Sequence, residues 1–249
     1  MNKSLLGVFI ILLLFHAQPK DIKAGVNEPD YNLVYDSLLT TLEPYIEEAV
    51  ISYYGERKQY GLYDAKIIEI IRESEGGYSF VITVQVNTFE HAHGPPHGKE
   101  SITFNVSPFG VKAIDYKHEG DHWERKVEDF YQKSITDIKK TFDLNIKSFK
   151  VYSYGQLLFQ SEKKKSFQSL SEIVIDIVED ILNPEIKPPY KNVIDPVTFI
   201  KDDYGYILYK KADGMNVVLT LKKEKQNWIV IDKQYKKGKK MPKELLWYM

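Results

Sequence analysis

The chain has 249 residues, 43% hydrophobic and 28% charged, with a formal net charge of −1 and no cysteine. That composition suits one large or two small globular domains. It excludes disulfides, cysteine-ligated zinc, a cysteine nucleophile and a lipidated N-terminal cysteine, and it argues against bulk attraction to nucleic acid or anionic membrane.

Lys3 precedes an uninterrupted apolar run, Leu5 to Phe15. A membrane helix needs about 20 apolar residues, so this run suits the apolar core of an export signal. Ala24 in "DIKAG" places cleavage before Gly25; the competing reading is an uncleaved anchor. Either way the expected address is extracytoplasmic.

Leu33 to Tyr54 has helical spacing, with Leu38, Leu42, Tyr45, Ile46, Ala49, Val50 and Tyr53 on one face and Gly55 as its stop. Pro44 is expected to kink or restart it. Strand patterns follow at 65–71, 78–89, 100–106 and 111–117, a meander closed by the turns "ESEGG" and "SPFG". Asp121 then opens a second helix as N-cap, with Glu124 placed to complete a capping box and Trp123, Val127, Phe130, Ile138 and Phe142 as the buried stripe.

Phe149 to Glu162 reads as a short hairpin around Tyr154-Gly155, followed by a helix over 169–182 with Ser169 and Glu172 as its capping box. Asn183 to Pro196 holds four prolines and reads as a linker or long loop. Four strands close the chain: "VTFIK", "GYILYKK", "NVVLTLKK" and "WIVIDKQ". The expected fold is therefore α+β, with helices on antiparallel meander sheets in cystatin-like or NTF2-like units. The expected division is a signal over 1–24, an N-terminal domain over 25–145 and a C-terminal domain over 146–249.

Five of the six histidines crowd two short stretches, "HAHGPPHG" and "HEGDH". The second spells the H-x-x-x-H zincin pattern with glutamate at its second position, but Gly120 and the cap at Asp121 put His118 on a strand end and His122 on a helix start. The two rings would not face one ion from successive helical turns, which argues against a metalloprotease. In a meander, however, both stretches lie at one end of the sheet. His91, His93, His97, His118 and His122, with Glu90, Glu119 and Asp121, then form a candidate site for zinc, copper or nickel, the alternative being a solvated polar edge.

No phosphate-cradling, dinucleotide or nucleophile-elbow motif is present. Eighteen tyrosines fit a glycan surface or simple packing. Lys233 to Lys243 holds six lysines and no acid, so Lys236, Lys237, Lys239 and Lys240 are candidates for contact with a polyanion, teichoic acid in a Gram-positive wall, or else form a soluble tail.

The segments "YYGERKQYGLYDAKI", "GGYSFVITVQVNTFEHAHGPPHGKESITFNVSPFGVK", "YKHEGD", "PPYKNVIDPVTFIKD" and "KKGKKM" resemble an exported family of spore-forming Gram-positive (Bacillus-type) bacteria, domain of unknown function 3888. The resemblance implies export and the α+β architecture; it supplies no catalytic residues or substrate. The resulting expectation is a non-enzymatic binding protein of the cell envelope, its partner a wall polyanion, a peptide or an envelope protein. The alternative is a metal-binding protein or metal-dependent hydrolase.

Overall fold

The computed structural model of the chain describes residues 30–90, 93–181, 195–211 and 213–239. The export segment, His91, most of the proline-rich stretch and Lys240 lie outside the described residues. Among the described residues the fold is α+β, with four α-helices and two antiparallel sheets of five strands each.

The first unit begins with α1 (Tyr31–Tyr54), which runs through Pro44 as one helix. Asp30 caps it by accepting the Asn32 N–H, and Gly55, at φ 73°, ends it with its N–H on the Ile51 carbonyl. A left-handed residue there favours glycine, which has no Cβ to clash. The strands are β1 (Gln59–Tyr60), β2 (Lys66–Arg72), β3 (Phe80–Glu90), β4 (Gly94–Ser107) and β5 (Gly110–Gly120). Both β1 and β2 pair with β3, and β4 and β5 follow in order. Leu39, Leu42, Ile46, Ala49 and Val50 of α1 pack on Ile82, Val84, Val86, Ile102 and Phe104 of β3 and β4. Each fully buried aliphatic side chain there contributes about 1.5–3 kcal/mol.

β4 starts earlier than its apolar alternation indicates, and "GPPHG" is strand where a turn is expected. Its prolines are tolerated because β5 pairs with β4 only from Gly98 onward, so Pro95 and Pro96 have no strand partner on that side.

α2 (His122–Thr141) follows at once. Its Phe130, Ile135 and Ile138 pack on Phe199, Leu208 and Val218, which belong to the second sheet. The helix expected to close the first unit thus buries its apolar stripe against the second sheet.

The second sheet has the order β10-β9-β8-β7-β6, with β6 (Lys150–Tyr152), β7 (Val197–Lys201), β8 (Tyr204–Lys210), β9 (Met215–Glu224) and β10 (Asn227–Lys237). The hairpin expected around Gly155 is a helix instead, α3 (Tyr154–Lys163). Ser153 and Gln156 bond each other's backbone N–H reciprocally, and that capping box starts a helix where the glycine suggests a turn. α4 (Gln168–Ile181) runs straight out of a 3-10 turn at Lys165–Phe167, and Ser169 does not cap it; its hydroxyl accepts the Trp228 N–H at 2.8 Å. Leu157, Leu170, Val174 and Ile177 cover the face formed by Ile207, Tyr209, Val217 and Leu219. The second sheet thus carries helices on both faces, unlike the single helix-on-sheet arrangement of the first.

Lys210 lies at the heart of this unit with 1% exposure. It donates to Asp137 Oδ2 on α2 at 2.7 Å and to Asn216 Oδ1 at 2.6 Å, while Asn216 donates to Asp137 and Thr141. Burial raises the Asp137 pKa, but bonds from Lys210, Asn216 and the Lys239 N–H outweigh it and hold it down to about 2. As far as Lys239 the basic run after β9 is therefore no free tail: it forms an edge strand, and the Lys239 N–H beyond it is tied to Asp137 of α2.

Candidate functional site

Strand alternation turns Gly98, Glu100, Ile102 and Phe104 of β4 toward the first core. Glu100 is the exception among them, a carboxylate with 0% exposure. Such a group is tolerable only when its lone pairs are satisfied. Tyr54 Oη donates to its Oε1 at 2.7 Å, Thr88 Oγ1 donates at 3.0 Å, and His118 Nδ1 lies 3.0 and 3.1 Å from its two oxygens.

His118 is placed by register, directly opposite Glu100 on β5. Its other nitrogen, Nε2, lies 2.9 Å from Glu124 Oε2 on α2. A carboxylate on each ring nitrogen favours the form with hydrogens on both, the imidazolium. Burial opposes that charge, but the hydrogen bonds and charges of Glu124 and Glu100 outweigh it and raise the His118 pKa above its ordinary value.

Glycine makes the clamp sterically possible. Gly98 and Gly120 oppose each other across β4 and β5. A Cβ on Gly98 would stand 2.4 Å from both Glu100 Oε1 and Thr88 Oγ1, and one on Gly120 would stand 1.3 Å from Glu124 Oε2. Asp121 caps α2 through the Glu124 N–H as expected, but Glu124 does not close a capping box. The His97 carbonyl accepts the Asp121 N–H, which leaves the Glu124 side chain to reach His118.

The clamp lines one end of a cleft of about 1220 Å³ between the two sheets. α2 forms one wall, with Glu124, Glu128 and Tyr131; the start of α3 forms another, with Ser153, Tyr154 and Gly155. Tyr53 stands at the lining with 52% exposure, stacked on Tyr116 at 4.7 Å and 15°. Farther along, Lys58 pairs with Glu90 and, at 3.5 Å, with Glu56. Burial is the first cause of a raised Glu56 pKa, partly offset by Lys58. Gln156 Nε2 donates to the Tyr54 carbonyl and Arg57 to Glu162, so α1 and α3 are tied beside the cleft.

Among the described residues the candidate histidines are held by separate partners. His97 occupies an exposed position of β4, with Nδ1 3.4 Å from Asp121 Oδ2 and Nε2 3.2 Å from the His93 carbonyl. His93, at φ 73°, has its Nδ1 3.1 Å from Tyr63 Oη. The His122 ring lies 5.0 Å from that of Trp123, tilted by 40°, and Glu90 and Glu119 pair with Lys58 and Lys99. The structure thus joins His97 to Asp121 and encloses His118 separately; His91 lies outside the described residues. Among the described residues no group of three or more histidine or acidic side chains is arranged to hold a metal ion. Of the candidate lysines, Lys236 bonds the Thr141 carbonyl at 3.2 Å, Lys237 is exposed, and Lys239 gives its backbone N–H to Asp137.

Sequence reasoning passed over Glu100, Tyr54 and Thr88. The signal was there for Glu100: it stands in phase with Ile102 and Phe104, and an acid in the buried phase of a strand must have a partner.

Residues 34–120 match the family model described as "Protein of unknown function (DUF3888)". The matched stretch starts inside α1 and ends on the last residue of β5, so the resemblance of the later segments is no part of it. No curated protein and no solved structure matches the chain. No helix among the described residues is long and apolar enough to cross a membrane.

Proposed function

We propose that this protein is an exported, non-enzymatic binding module of the cell envelope whose ligand seat is the cleft between its two sheets. The observation that carries the reading is the cleft itself: some 1220 Å³, lined by tyrosines and by charged groups that are already partnered. Clefts with aromatic walls and convergent polar groups are the usual seats of ligands. General-base catalysis by His118 would need a free ring lone pair, and both of its nitrogens are bonded to carboxylates. Lys58 is likewise engaged by two carboxylates. What the cleft offers an incoming chain is aromatic surface at Tyr53, Tyr131 and Tyr154 beside the carboxylates of Glu124 and Glu128, which suits a peptide segment. The apolar run from Leu5 to Phe15 supports export.

The test is differential capture. Peptides released by trypsin from the envelope fraction are passed over immobilised wild-type protein and over a Tyr53→Ala/Tyr154→Ala variant with unchanged circular dichroism. A peptide set held by the wild type and lost by the variant supports the reading. Equal retention by both, or retention by neither, overturns it.

A further inference from the structure

Strand alternation divides the lysine run of β10 between two faces. Lys233, Tyr235 and Lys237 stand opposite Leu219, Val217 and Met215, while Asp232, Gln234 and Lys236 stand opposite Thr220, Val218 and Asn216. The second set faces α2 and is occupied there: Lys236 bonds the Thr141 carbonyl and lies 4.8 Å from the Phe142 ring centre, and Asp232 accepts from Gln234.

The first set is exposed, with Lys233 held by the hydroxyls of Tyr235 and Tyr209. Lys233 and Lys211 lie 5.5 and 5.6 Å from the centre of the Tyr235 ring, which is 49% exposed. Lys237 follows two residues on, on the same face. Among the described residues, none of these three lysines is ion-paired with a carboxylate. From Lys211 to Lys239 eight lysines stand against three acids, in a chain whose overall charge is −1.

We propose that Lys211, Lys233, Tyr235 and Lys237 form a docking strip for an extended phosphodiester polymer, with the lysines on its phosphates and Tyr235 under the polyol between them. Ammonium groups act on phosphate as compact point charges, so they suit a ligand whose charges repeat along a flexible chain. Lys233 and Lys237 are four residues apart on a strand, roughly 13 Å, more than one phosphate spans. A chain engages both; an isolated anion does not. The strip is independent of the cleft. The competing explanation is that lysines on this edge strand merely discourage sheet-to-sheet pairing.

Neighbouring residues on opposite faces provide the control. Binding of the protein to immobilised poly(glycerol phosphate) is measured across a salt series, with Lys237→Gln and Lys236→Gln compared. The expected result is wild-type affinity that falls log-linearly with salt, a roughly fivefold loss for Lys237→Gln and under twofold for Lys236→Gln. The triple variant of Lys211, Lys233 and Lys237 to Gln is expected to lose roughly a hundredfold, with its unfolding midpoint checked against wild type. Equal losses for the two single variants would mean diffuse charge attraction and would falsify the strip, as would absence of binding at low salt. Tighter binding to vesicles of anionic phospholipid than to the polymer would overturn the choice of a chain as ligand.

Discussion

A carboxylate with no exposed surface sets the terms for everything around it. Glu100 is stable because Tyr54, Thr88 and His118 satisfy it, and of these only His118 brings positive charge. His118→Ala is therefore expected to destabilise the fold by about 3–5 kcal/mol in chemical denaturation, the cost of an unpaired buried ion. Glu124→Gln, at the partly exposed end of the clamp, is expected to cost about 1 kcal/mol. The pH dependence has a definite sign. A raised folded-state pKa means that the imidazolium's contribution is fully present below its ordinary value, near 6.5, and fades as pH rises through the raised value. The melting temperature is expected to fall across that window, and the fall attributable to this group to vanish in His118→Ala. The same pairing bears on metal. As a ligand His118 would have to surrender one carboxylate, so calorimetric titration with zinc is expected to show no uptake that depends on His118.

At the scale of elements, most strands and the apolar faces of α1, α2 and α4 were legible because period two and period 3.6 are written directly into residue order. Reading failed where one local signal outweighed another. Gly155 suggested a turn, yet the reciprocal bonds of Ser153 and Gln156 start α3; the glycine serves to admit Glu56, whose Oε2 would lie 1.5 Å from a Cβ there. Ser169 and Glu172 had the spacing of a cap, but the serine hydroxyl is spent on β10, a partner no local pattern reveals. The lysine run looked like a tail because its composition is polar, whereas its backbone is paired along β9. The facing glycines of β4 and β5 give an element-level test. Gly98→Ala would drive a methyl group into Glu100, Thr88 and Tyr54, all held by the buried network, and is expected to cost more than about 2 kcal/mol. Gly120→Ala meets the tip of Glu124, which can swing into the cleft, and is expected to cost about half as much. Denaturation midpoints of the two variants check the order.

Over the whole molecule, the two cores were legible but their ownership of α2 was not, since an amphipathic stripe does not say which sheet it will cover. Lys210 and Asp137 fasten that helix to the second sheet, and Lys210→Met is expected to cost about 3–5 kcal/mol by stranding the aspartate. Because Asp137 is depressed to about 2, the stability it lends is present above the ordinary carboxylate value and is lost as pH falls toward 2; acid unfolding of Lys210→Met is expected to be correspondingly flatter in that range. The place of Gly120 has a last consequence. The family match closes on that residue, four residues short of Glu124. This chain cut after Gly120 would keep the inner half of the histidine's harness and none of the outer. Its imidazole would turn one nitrogen to water, and whatever was spliced on downstream would decide whether that ring stays a rivet or becomes a reagent.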